Sequence, residues 1–110
     1  MIITLTGSSR FKSAFDIANM HYTMAGHVVF SLSCFGHFDY PDGAKYLTGD
    51  ADIENKNKQI LDEGHLKKID MSDVLVVVNV GDYLGEGTIR EIAYARSKGI
   101  RVVNFIVDLK

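Results

Sequence analysis

Covalent and rigid bracing is scarce in this 110-residue chain, which has one cysteine (Cys34), one proline (Pro41) and no tryptophan. A single thiol excludes an intrachain disulfide framework, so stability has to come from a buried core. A single domain spanning residues 1–110 is long enough to build one. Charge of one sign is scarce too. A net charge of −2 leaves no electrostatic footprint for duplex DNA or RNA. The longest apolar run, Val74 to Val78, falls well short of the roughly 20 residues that cross a bilayer, so no membrane partner is expected. MIITLTGSSR lacks the basic start and long apolar stretch of a signal peptide, and a cytoplasmic home is the expectation. No repeat or low-complexity tract interrupts the chain. Neither G-x-G-x-x-G nor G-x-x-x-x-G-K-[ST] follows the first strand-like run. His37 and Asp39 fall short of the three or four ligands a metal site needs, so no metal or cofactor is expected.

What is present is a regular alternation of strand and helix signals. Ile2–Thr6 reads as a strand ending at Gly7. Phe11, Phe15, Ala18 and Tyr22 then recur at helical spacing, with Gly26 as the stop. His27–Ser33 reads as a second strand and Cys34–Gly49 as a loop. A helix capped by Asp50 or Asp52 is expected to run to about Ile69, with Ile53, Ile60, Leu61, Leu66 and Ile69 partly on one face. Gly64 weakens its middle by about 1 kcal/mol relative to alanine. Val74–Val80 has the apolar continuity of a strand covered on both faces. Gly81–Gly87 reads as a loop, Thr88–Lys98 as a helix stopped by Gly99, and Arg101–Val107 as the last strand. The order β-α-β-α-β-α-β predicts a parallel sheet of four strands with helices on both faces. Ligands in such sheets bind outside the carboxyl ends of the strands, where strand order reverses. The loops Gly7–Arg10, Cys34–Gly49 and Gly81–Gly87 therefore carry the functional weight.

Three constellations lie in or beside those loops. In TGSSR, Gly7 permits a tight turn, Ser8 and Ser9 offer hydroxyls, and Arg10 adds a cation. With the free amides of a helix start they suit a phosphate or carboxylate. A plain serine cap with a solvated arginine explains the same residues. In EGTIRE, Thr88 and Glu91 have capping-box spacing, and spacing alone favours that cap. The other reading places Glu91 in the first turn of a helix facing the crevice, kept ionised by the helix dipole. There it would attack the anomeric carbon of a sugar. In HLKKIDMSD, His65, Asp70 and Asp73 are titratable. His65 is a candidate proton donor, and Asp73 either a site residue or a turn former. Phe35, Phe38 and Tyr40 would stack on a flat base or form a small satellite core.

The strand-GSSR-helix start, KIDMSDVLVVVN and GEGTIREIAYARSKGIRVV together resemble the nucleoside 2-deoxyribosyltransferase-like superfamily. That group includes hydrolases of the N-glycosidic bond of nucleoside 5′-monophosphates. The likeness runs in order along essentially the whole chain and is strongest from His65 to Val103. It implies a flavodoxin-like α/β three-layer sandwich. It also implies a glutamate nucleophile at Glu91, an aspartate at the mouth of strand three at Asp73, and a phosphate-holding turn at Gly7, Ser8, Ser9 and Arg10. Gly85 stands where the transferases carry an acid, and His65 where they carry an aspartate. Asp82 or Glu86 is then expected to supply the missing acid, with Gly85, Gly87 and Thr88 lining the substrate loop. GEGTIRE is also similar, more weakly, to the G-G-x-G-T-x-x-E loop of cytokinin-activating phosphoribohydrolases. The resemblance implies a nucleoside or nucleotide as the small-molecule partner. A binding or sensing module without catalysis is the alternative. A sheet this small has exposed edges, so a homodimer or higher homo-oligomer is expected.

Overall fold

The computed structural model of the chain describes residues 1–33 and 51–108, with the backbone alone for 51–55. Expectations that fall on Cys34, Phe35, His37, Phe38, Asp39, Tyr40, Asp42 and the cap at Asp50 lie outside the described residues.

Four strands form one parallel sheet: β1 (Ile2–Thr6), β2 (Val28–Phe30), β3 (Val74–Asn79) and β4 (Arg101–Ile106), in the order β2-β1-β3-β4. Three helices alternate with them: α1 (Lys12–Met24), α2 (Ala51–Asp70) and α3 (Glu86–Ser97). This is the expected flavodoxin-like sandwich. Strand order turns back at β1, whose neighbours are β2 on one side and β3 on the other. The crevice of such a sheet therefore lies above the carboxyl ends of β1 and β3.

The pleat of each central strand sorts side chains between two faces. Ile3 and Leu5 of β1 join Val74, Val76 and Val78 of β3 in a cluster closed by Ala14, Phe15 and Ala18 of α1. On the other face Leu75 meets Ile69 of α2 and Ala95 of α3. Thr4 and Thr6 alternate with the first set and are fully buried. They need polar partners on the α2/α3 face. Thr4 Oγ1 finds the Lys68 carbonyl oxygen at 3.1 Å.

Several boundaries shift from the sequence reading. β2 stops at Phe30: only Val28, Val29 and Phe30 pair with β1, which itself runs on to Thr6. α2 runs unbroken through Gly64, and Asp52 lies inside it. Ile60, placed on the inward stripe from spacing, is 57% exposed. α3 starts two residues earlier than expected, at Glu86. Phe11, not a serine, occupies the cap position of α1, and no side chain bonds there. Among the described residues no helix is long and apolar enough to cross a membrane.

Candidate active site

A cavity of about 330 Å³ opens above the carboxyl ends of β1 and β3. That is the size of a small-molecule site. The turn after β1 contributes Gly7, Ser8, Ser9 and Arg10, and the segment after β2 contributes Leu32 and Ser33. Lys58, Leu61, Asp62 and His65 of α2 form one wall. Tyr83, Gly85, Gly87, Thr88 and Glu91 form the opposite one.

Gly7 is required by crowding. A Cβ there would sit 2.8 Å from the Val78 carbonyl oxygen and 3.1 Å from Phe15 Cζ, at φ +152°. Only a bare backbone passes that close, and the chain then turns immediately into Ser8–Arg10. Ser8 Oγ accepts the Arg10 amide at 3.3 Å, and the Ser8 carbonyl accepts the Phe11 amide at 3.2 Å. The serines therefore do not cap α1. Arg10 lies with its guanidinium 4.9 Å from the Tyr83 ring centre, bridging the two lips of the cleft.

Glu91 is the sixth residue of α3 and its side chain points into the cleft. The capping box does not form: Gly85 occupies the cap position with no side-chain bond. Thr6 Oγ1 instead donates to Glu91 Oε1 at 2.6 Å, across 85 residues of sequence. The dipole expectation is overturned. More than a turn from the helix end the dipole has faded, and burial pushes the Glu91 carboxyl up to about 7. The Thr6 hydrogen bond and Arg90 oppose that rise, and the Asp62 charge adds to it.

His65 is buried, 6% exposed, with Nε2 3.3 Å from Glu91 Oε2. Nε2 lacks a hydrogen-bonding partner of proper geometry. Burial holds the imidazole down to about 4, helped by the Lys68 charge and opposed by the Leu5 bond. The close contact is therefore between a neutral imidazole and a carboxyl that is largely protonated below pH 7. It is not an ion pair. In a neutral imidazole one ring nitrogen carries the hydrogen and the other a lone pair, so the ring can stand beside a protonated carboxyl without a charge on either.

Three expected site residues lie elsewhere. Asp73 precedes β3 and sits at the amino ends of the strands, opposite the cleft. Its Oδ2 accepts the Ile2 amide at 2.8 Å, and its own amide donates to the Ile2 carbonyl at 2.8 Å. Asp82 (φ +60°) follows Gly81 (φ +59°), and the pair builds the tight turn after β3. The Asp82 amide donates to Asn79 Oδ1 at 2.8 Å, and Asp82 does not line the cleft. Glu86 is an exposed first residue of α3 and does not line it either. The acid near Glu91 is instead Asp62. Asp62, Lys58 and Thr6 were missed, and each had a signal. Lys58, Leu61, Asp62 and His65 have i, i+3, i+4, i+7 spacing, so they share a helix face. Thr4 and Thr6 alternate with apolar residues in β1, a polar stripe in a strand that has to be buried. Tyr83 carries no comparable mark. Among the described residues no cluster of three or more metal-ligating side chains exists.

No protein-family model matches the chain, and no curated protein matches it either.

Proposed function

We propose that the protein cleaves, or transfers across, the N-glycosidic bond of a nucleoside or nucleoside 5′-monophosphate. The observation that carries this reading is the environment of Glu91. Its carboxyl group faces an open cleft, held by a threonine hydroxyl and 3.3 Å from a buried imidazole nitrogen, with its own backbone uninvolved. The turn Gly7–Arg10, with Lys58 across the cleft, supplies cationic and hydroxyl groups for a 5′ end. The sugar then lies over Glu91.

The chemistry needs one proton and one carboxylate. At rest the proton belongs to Glu91 and His65 is neutral. Transfer from Glu91 to His65 Nε2 leaves a carboxylate, which attacks C1′ as the bond to the base breaks. The departing base leaves on the side away from Glu91 and takes its proton from solvent in the open cleft, while His65 holds the Glu91 proton until the sugar is released. Thr6 stabilises the carboxylate while it is charged. Water, or a second base, then releases the sugar from Glu91.

Incubation with a panel of nucleosides and 5′-monophosphates tests this reading, with free base as the readout. Release by the native protein and its loss in Glu91→Gln are expected. The raised Glu91 pKa favours a second reading, a nucleotide-binding module, because a protonated carboxyl is no nucleophile. Ligand-induced thermal stabilisation that persists in Glu91→Gln, with no base released by either protein, would establish that second reading.

A further inference from the structure

We propose that Lys68 is a positioning residue of this cleft. Its ammonium pins the segment after β2 against α2, and its charge biases where the proton shared by Glu91 and His65 resides. Lys68 Nζ donates to the Ser31 carbonyl oxygen at 2.8 Å and to Ser33 Oγ at 2.8 Å. Leu32 lies between those anchors, and Leu32 and Ser33 both line the cavity. β2 has already ended at Phe30, so no sheet hydrogen bond holds this stretch to β1. The Lys68 backbone is fixed in turn, because its carbonyl accepts Ser72 Oγ at 2.7 Å and Thr4 Oγ1 at 3.1 Å.

Lys68 follows His65 by one helical turn, on the same face of α2. Its partners among the described residues are a carbonyl and a hydroxyl, with no carboxylate to offset its charge. The half-buried ammonium is itself held below the ordinary lysine range by desolvation. The groups around the imidazole are few. Among the described residues α2 contributes Lys58, Asp62 and Lys68, α3 contributes Glu91 with Arg90 beyond it, and the turn after β1 contributes Arg10 at the cavity's lip. β1 offers only the Leu5 backbone and the Thr6 hydroxyl, and the described residues after β2, Ser31 to Ser33, carry no charge. A cation one turn away disfavours imidazolium. Burial, the largest influence on both groups, and the Lys68 charge acting on the imidazole together keep the proton on Glu91.

This assignment rests on the N-glycosidic reading for its purpose, but its test needs no turnover. The imidazoles of the intact protein are titrated by NMR in the native chain, Lys68→Arg, Lys68→Gln and Lys68→Met. In the native chain His65 is expected to stay neutral down to about pH 4. Lys68→Arg keeps the charge and both hydrogen bonds, and should leave that midpoint low. Lys68→Gln keeps a donor to the Ser31 carbonyl but drops the charge, so the midpoint should climb toward the ordinary 6.5. Lys68→Met should show the same climb together with at least roughly tenfold faster amide exchange at Leu32 and Ser33. A merely structural lysine would change the exchange and leave the titration alone. An unchanged midpoint in a folded Lys68→Gln or Lys68→Met, or a native His65 that titrates near 6.5, overturns the proposal. Absence of base release overturns only the reading of the reaction.

Discussion

The two faces of the sheet treat the same strands differently. Toward α1, β1 and β3 present Ile3, Leu5, Val74, Val76 and Val78, closed by Phe15 with no polar side chain in the cluster. Toward α2 and α3, β1 presents Thr4 and Thr6, and around them lie His65, Ser72, Asn79 and Thr88, all buried. An apolar face needs only shape and volume. A buried polar group needs a matched partner, because leaving one unmade costs about 1–3 kcal/mol. Among the described residues only His65 Nε2 is buried without such a partner, and it lies toward the carboxyl ends of the strands, where Thr6, His65 and Glu91 converge.

The largest expected effect breaks the polar face chemically. Glu91→Gln removes the proposed nucleophile and should lower base release by at least about a thousandfold, while the folded protein persists. On the apolar face, Phe15→Ala should lose about 3–5 kcal/mol of unfolding free energy in urea, through the cavity it leaves. A protein of unchanged stability would show that this face is not the core.

The dependence of stability on pH sharpens the contrast next. The folded Glu91 keeps its proton to about 7, against 4.5 in the unfolded chain. Between those values the folded state holds more protons, and stability falls as pH rises. His65 works in the opposite direction. It titrates near 4 when folded and 6.5 when unfolded, so stability rises with pH across that window. The two slopes oppose each other from 4.5 to 6.5. Glu91→Gln should therefore expose a stability that increases from pH 4 to 6.5, and His65→Gln one that decreases from 4.5 to 7. Urea midpoints measured across that range decide the matter, and two flat profiles would contradict it.

A smaller effect is expected from Thr6→Val, which fills the same space without the hydroxyl. The hydrogen bond it removes favours the ionised carboxyl, so Glu91 should titrate higher. Base release at pH 7 should drop about tenfold, and the pH–rate profile should move toward alkali. The smallest effect tests the opposite end of the sheet. Asp73→Asn loses a charge-assisted bond to the Ile2 amide. It should cost about 1–2 kcal/mol in stability and leave base release unchanged. A large loss of activity there would return Asp73 to the site.

Much of the fold was legible because it is written locally. Alternation in Ile2–Thr6, the apolar run of β3, and the stripe Phe11, Phe15, Ala18 and Tyr22 each locate an element without its neighbours. The ends of β2 and α3 were less legible. The edge strand ends opposite Thr4, two residues before its partner β1 does, and α3 extends back to Gly85, whose extended backbone (ψ 165°) starts the helix without a side-chain cap. The site was legible in part. Gly7–Arg10 stood out by composition and loop position, whereas Glu91 reads as a helix cap from spacing alone and as a site residue only through the family resemblance. Asp73, Asp82 and Glu86 looked equivalent to Glu91 as letters, because charge is visible in a sequence and direction is not.

Elements, their order and the glycine after the first strand follow from residue types and spacing alone, since backbone preference and hydrophobic period act within a few residues. The meeting of Thr6, His65 and Glu91 does not. It joins three elements across 85 residues, and the sheet's switch of direction puts their side chains in one cleft. The protonation of that group is a tertiary property for the same reason: desolvation, the largest influence on both His65 and Glu91, exists only once the helices have closed over the strands.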